Sequence, residues 1–179
     1  GKRVLILGSK RSLDIAKHYG FSHPLVPRQL LAESPTAFQQ IVSNSPVNTD
    51  TDEIERKVHA AFIIGDPYEW GLDIQILTDV MLCGPGERQK IPLYACNADL
   101  LYNNEHPAPR YTQGAFIEAF RVLYERQTNA PLEVEFCGKP YDITYRKAKS
   151  MLRDRALALG VEMPEAFVAI GDSPHSDIR

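Results

Sequence analysis

The sequence predicts an α/β protein with a largely parallel sheet, and three observations carry that prediction. Short apolar runs alternate with longer stretches of helical periodicity. Glycines follow several of the runs, at Gly8, Gly65 and Gly171, where a strand would turn out of a sheet. Two strand-end charged residues, Lys139 and Asp172, are separated by one helix-length stretch. That is a βαβ unit, whose crossover delivers both groups to the same edge of a parallel sheet.

In chain order, Arg3–Leu7 reads as a buried strand, followed by the turn Gly8-Ser9-Lys10-Arg11-Ser12. A helix from about Leu13 to Tyr19 ends at Gly20, which suits a C-cap. One glycine is too few for a G-x-G-x-x-G fingerprint, so a Rossmann-type cofactor site is disfavoured. His18 and His23 read as surface or interface histidines. From Pro24 to Asp52 the chain is turn-rich. Two short helices are predicted near 27–32 and 35–43, with Pro27 and Pro35 in first turns, and a loop over 44–51.

A second strand covers Ala60–Ile64 and leads through Gly65–Gly71 into a helix from about Leu72 to Met81. Leu72, Ile76 and Val80, flanked by Ile74 and Leu77, form its apolar stripe, and Tyr68 and Trp70 read as packing residues at its entry. Cys83-Gly84-Pro85-Gly86 closes the helix. Ile91–Cys96 is a third strand, with Asn97 and Asp99 at its end, and Leu100–Tyr111 a polar loop. Gly114–Gln127 is a helix whose Phe116, Ile117, Phe120 and Leu123 face the core. After Thr128-Asn129-Ala130-Pro131 come the strand Glu133–Cys137, a helix from about Tyr141 to Leu159, and a last buried strand, Phe167–Ile170.

Composition narrows the function classes. The chain has 179 residues, 44% hydrophobic and 24% charged, with a net charge of −3. This allows one large domain or two small ones and is too neutral for nucleic-acid binding. No apolar run approaches the roughly 20 residues of a membrane span. The three cysteines, Cys83, Cys96 and Cys137, lack metal or disulfide spacing and fit buried thiols in a reducing compartment. No targeting segment is visible.

The chemistry-bearing residues sit at predicted strand ends. Asp172 and Asp177, in Gly171-Asp172-x-x-x-Ser176-Asp177, are carboxylates that suit a hard cation such as Mg²⁺. A plain Asp-rich turn would carry the same residues. Lys139, in Gly138-Lys139-Pro140, can neutralise a bound phosphate or a carboxylate nucleophile, or stand as a solvated lysine. Asn97 and Asp99, at the end of the third strand, read on their own as loop hydrogen-bonders.

The G-K-P segment, the helix after it and the G-D-x-x-x-S-D run resemble the third and fourth motifs of the haloacid dehalogenase (HAD) superfamily, class IIA capped phosphatases. Gly65–Gln75 and Tyr94–Asp99 look like the branch typified by the cat-eye-syndrome critical-region protein, a mitochondrial HAD-like hydrolase. The resemblance spans essentially the whole chain, with Ala98 departing where proline is common. It implies a partial HAD-like Rossmannoid core over 132–179 and an inserted α/β class-2 cap over 1–131. It further implies phosphoryl transfer to an aspartate, then hydrolysis of the aspartyl phosphate, with Mg²⁺ between phosphate and carboxylates.

In that scheme Lys139 holds nucleophile and phosphate, Asp172 binds the metal, and Asp177 supports the metal waters and the lysine. Ser173 and Ser176 are loop hydrogen-bonders, His175 is exposed, and Asn97 and Asp99 lie on the substrate side. The substrate is a small phosphate ester, the location mitochondrial or, failing that, cytoplasmic, and a homodimer forms through the cap.

The family's amino-terminal D-x-D nucleophile and its Ser/Thr second motif have no counterpart here, since Asp66 is followed by Pro67 and Tyr68. The chain therefore reads as a middle slice of a longer protein, inactive alone. Two alternatives are a non-catalytic relative serving protein association, and a nucleotide-binding α/β module, which the single Gly8 disfavours.

Overall fold

A computed structural model describes residues 1–33, 37, 58–82, 89 and 91–171. The helix expected near 35–43, the loop over 44–51 and the Cys83–Gly86 turn lie outside the described residues. So do Asp172, Ser173, His175, Ser176 and Asp177.

Five parallel strands form the main sheet: β1 (Arg3–Leu7), β2 (His23–Leu25), β3 (Val58–Ile63), β4 (Leu93–Ala95) and β7 (Glu135–Phe136), in the spatial order β2-β1-β3-β4-β7. The α/β class with a mostly parallel sheet is as the alternating pattern predicts, and it is compatible with a Rossmann-like core. Register runs Leu5↔Ala61 and Leu7↔Ile63 between β1 and β3, Ala61↔Leu93 between β3 and β4, and Ala95↔Phe136 between β4 and β7. β7 falls within 132–179, so one sheet crosses the 131/132 position.

The strands are apolar on both faces because both are covered, as parallel sheets require. Leu5, Leu7, Ala61, Ile63, Leu93 and Ala95 face the larger core. There α2 (Pro27–Glu33), α3 (Trp70–Leu82) and α4 (Gln113–Thr128) contribute Leu30, Ile76, Leu77, Met81, Phe116 and Phe120. On the other face, Val4, Ile6 and Ala60 pack with Ala16 of α1 (Ser12–His18). Phe21, Phe62 and Tyr94 extend that layer as an aromatic row, with ring centroids 4.9 Å apart at each step. Trp70 packs edge-on against Phe116 at 5.6 Å and donates its indole N–H to the Pro67 carbonyl at 2.8 Å, as a packing residue should.

Four sequence expectations need amendment. β2 falls in the stretch read as turns; His23-Pro24-Leu25 is an edge strand, where a proline's missing N–H is tolerated. Leu100–Tyr111 is not wholly loop: β5 (Leu101–Tyr102) and β6 (Arg110–Tyr111) pair antiparallel in a ribbon too short to carry an alternating signal. Leu123, expected in the core, is exposed, and Tyr124 is buried instead. The strand predicted at Phe167–Ile170 is absent: 161–171 has no regular structure, and Val168 and Ile170 are 86% and 97% exposed. An apolar run becomes a strand only where a neighbour takes its backbone hydrogen bonds, and among the described residues this one has none. The helix before it, α5 (Asp142–Leu159), forms as expected, but of its residues only Ala156 is buried.

Candidate functional site at the carboxyl edge of the sheet

All five main strands run the same way, so the loops that follow them gather at one edge, where ligands of open α/β sheets bind. The ladder continues one step past the strands: Ile64 donates to Leu7 O at 3.0 Å, Cys96 to Ile63 O at 3.0 Å and Cys137 to Ala95 O at 2.8 Å. The chain therefore leaves β3, β4 and β7 at a common level.

After β4, the Asn97 side-chain oxygen accepts the Asp99 backbone N–H at 3.0 Å, an Asx turn that bends the chain sharply. After β7, Gly138 packs directly on that bend. A Cβ on Gly138 would lie 1.9 Å from the Cys96 carbonyl oxygen, so only glycine permits the approach. Lys139, exposed and joined to Pro140 by a cis peptide bond, follows at once. The structure thus brings Asn97, Asp99 and Lys139 onto neighbouring loops.

The amino end of α4 closes the other side. Gly114 donates to Asp99 O at 2.9 Å, and a Cβ there would meet the Ala98 and Asp99 carbonyl oxygens at 2.3 and 2.4 Å. Thr112 occupies the N-cap position but does not cap with its side chain. Its hydroxyl donates instead to Asp66 Oδ1 at 2.5 Å, tying the loop after β3 to α4. Gln113 reaches Ile64 O with Nε2 at 3.5 Å, and its Oε1 is buried without a hydrogen-bond partner.

Two thiols flank the bend. Neither is the fully buried thiol the sequence suggested, since Cys96 is exposed and Cys137 half-buried. Partial burial, with Cys137 adding to it, still raises the Cys96 thiol above its ordinary pKa, and partial burial and then Glu135 do the same for Cys137. Both are protonated at neutral pH and make poor nucleophiles or soft-metal ligands there.

Asp172 and Asp177, expected to bind Mg²⁺ opposite Lys139, lie outside the described residues. Among the described residues, no group of three or more His, Cys, Asp or Glu side chains could hold a metal. Oxygen donors alone, as those two carboxylates offer, suit Mg²⁺.

No family model matches this chain. It is 31% identical over 192 residues to the cardiolipin synthase (CMP-forming) / mitochondrial hydrolase fusion protein of Schizosaccharomyces pombe. That alignment covers 99% of this chain and 32% of the relative. It is 27% identical over 212 residues to a mitochondrial hydrolase of Saccharomyces cerevisiae, covering 98% of this chain and 60% of that protein. The chain thus spans less than two thirds of either relative. Both relatives carry the words mitochondrial hydrolase in their names. No helix among the described residues is long and apolar enough to cross a membrane.

Sequence reading missed two parts of this edge. The Thr112–Asp66 bond joins residues 46 positions apart, and no local pattern announces it. Asp73 is buried in the first turn of α3, although it reads as the polar neighbour of Leu72 in an amphipathic helix.

Proposed function

We propose that this chain is part of a HAD-like hydrolase, class IIA in type. On this reading the protein hydrolyses a small phosphate ester through an aspartyl phosphate, with Mg²⁺ as cofactor. The observation that carries it is the gathering of Asn97, Asp99 and Lys139 at the carboxyl edge, with Gly138 seated on the Cys96 carbonyl so that Lys139 stands beside the Asn97 bend. The hydrolase names of two relatives that match nearly the whole chain add weight.

Each residue then has a role. The Lys139 ammonium offsets charge on the phosphate and on a carboxylate nucleophile, as fixed cations do in phosphoryl transfer. Asn97 and Asp99 bound the substrate side. Asp172 and Asp177 would hold Mg²⁺, which supplies charge neutralisation at the transferring phosphoryl group. On this reading Asp66, followed by Pro67 and Tyr68, lacks the second aspartate of the family's D-x-D motif, so the nucleophile would lie in another part of the protein and the 179-residue chain alone would be inactive. Residues 1–131 would act as the cap that selects the ester and pairs two copies into a homodimer.

The test is Mg²⁺-dependent release of phosphate from p-nitrophenyl phosphate and a panel of small phosphate esters by the full-length protein. Lys139→Ala and Asp172→Asn should each lower kcat/KM about 100-fold or more, the scale of removing one charge-stabilising group. Activity that persists in both variants would sink the site assignment.

A further inference from the structure

A cavity of about 220 Å³ opens at the carboxyl end of β1. Its walls come from the loops after β1 (Ser9, Lys10), β2 (Val26, Pro27) and β3 together with the start of α3 (Glu69, Asp73). Neither Asn97 nor Lys139 lines it, so it is separate from the candidate active site.

Its place follows from the topology. The chain passes from β1 to β2 on one side and then to β3 on the other, giving the order β2-β1-β3. The connections after β1 and β3 therefore leave in opposite directions and open a crevice, the switch point where open parallel sheets take ligands. Gly8, with φ of 140°, brings the two loops together: a Cβ there would lie 2.6 Å from the Gly65 backbone nitrogen. The volume is below the roughly 300–1,000 Å³ of drug-sized pockets, so the guest is small.

The lining charges select the guest. Arg28 and Glu69 satisfy each other at two points, with Nε to Oε2 at 2.7 Å and Nη2 to Oε1. Two opposite charges outside that pair then face the cavity, Lys10 and Asp73. Asp73 is 8% exposed. A phosphate dianion would meet Glu69 and Asp73, and a simple cation would meet Lys10 and Arg28. A neutral apolar guest would bury Asp73 without a counter-ion, which is costly. A zwitterion matches both ends.

We propose that this cavity binds a free α-amino acid, its ammonium group on Asp73, its carboxylate on Ser9 and Lys10, and its side chain against Ile6 and Leu13. This goes beyond the hydrolase reading and does not rest on it. Burial pushes Asp73 up to about 6, with Glu69 adding to the rise and Arg28 opposing it. Lys10 and Tyr68 are the other titratable groups on the cavity wall. Binding needs the ionised carboxylate, so affinity falls as pH drops through about 6.

The experiment is a thermal-shift screen of the full chain with single L-amino acids, followed by calorimetric titration of any that raise Tm. The amide of the same amino acid lacks the carboxylate and its 2-oxo acid lacks the ammonium; neither should raise Tm. Asp73→Asn and Lys10→Ala should each weaken Kd about tenfold or more, the scale of one charge-assisted hydrogen bond. Lys139→Ala should leave Kd unchanged. If Asp73→Asn does not fold, Lys10→Ala and the two analogues still decide the matter. The proposal is overturned if no amino acid raises Tm, if either analogue binds as well, or if Kd ignores both cavity variants. A shift produced by inorganic phosphate that Lys10→Ala abolishes and Asp73→Asn does not would assign the cavity to anions and overturn it as well.

Discussion

Asp73 enters a site that disfavours its charge, because burial raises its pKa from 3.8 to about 6. The folded chain therefore holds this proton more tightly than the unfolded chain does. That contribution to stability is complete below about pH 4 and is lost as pH rises through about 6. Asp73→Asn, which cannot ionise, should stabilise the chain near pH 7 by about 1–2 kcal/mol, allowing for partial water access. The gap should close near pH 4, and urea melts at the two pH values check both signs. Thr112→Val removes the hydroxyl that holds Asp66 and should cost about 1 kcal/mol, a small loss because the exposed Asp66 turns to water. A loss above 3 kcal/mol in the same melts would mean that Asp66 is buried more deeply than this geometry has it. The places of Lys139, Asn97 and Asp99 just beyond strand ends were legible from sequence because each lies within three residues of an apolar run. Asp73 was not, because one acid beside an apolar helical stripe looks like any solvent-facing residue.

Legibility at the element scale follows burial. Arg3–Leu7, the third strand and α4 announce themselves by apolar runs or helical spacing, and each is buried as that pattern demands. β2 hid behind Pro24, since the edge position that tolerates proline cannot be read from local sequence. Phe167–Ile170 misled for the opposite reason: its apolar pattern is real, but no described strand lies beside it. The contact between the ends of β4 and β7 depends on one residue. Gly138→Ala places a methyl 1.9 Å from the Cys96 carbonyl oxygen, a clash with backbone that no rotamer relieves. The expected result is a loss of about 1–3 kcal/mol and faster exchange of the Cys137 amide, whose bond to Ala95 O closes the pair. An unchanged exchange rate would mean that the two strands hold together without this approach.

The order of strands across the whole molecule sets two places at one edge. The cavity sits at β1 and the Lys139 site at β7, with β3 and β4 between them. Three strand spacings make about 14 Å. Groups that far apart with no shared partner contribute independently unless the sheet shifts as a body. The urea-melt stability changes of Asp73→Asn and Gly138→Ala should therefore add to within about 0.5 kcal/mol in the double variant. A larger discrepancy would mean that displacing β7 reaches β1 through β4 and β3. An amino acid bound in the cavity would then alter the Lys139 site through the same strands, and its effect on phosphate release should vanish in Gly138→Ala, where β7 is already displaced.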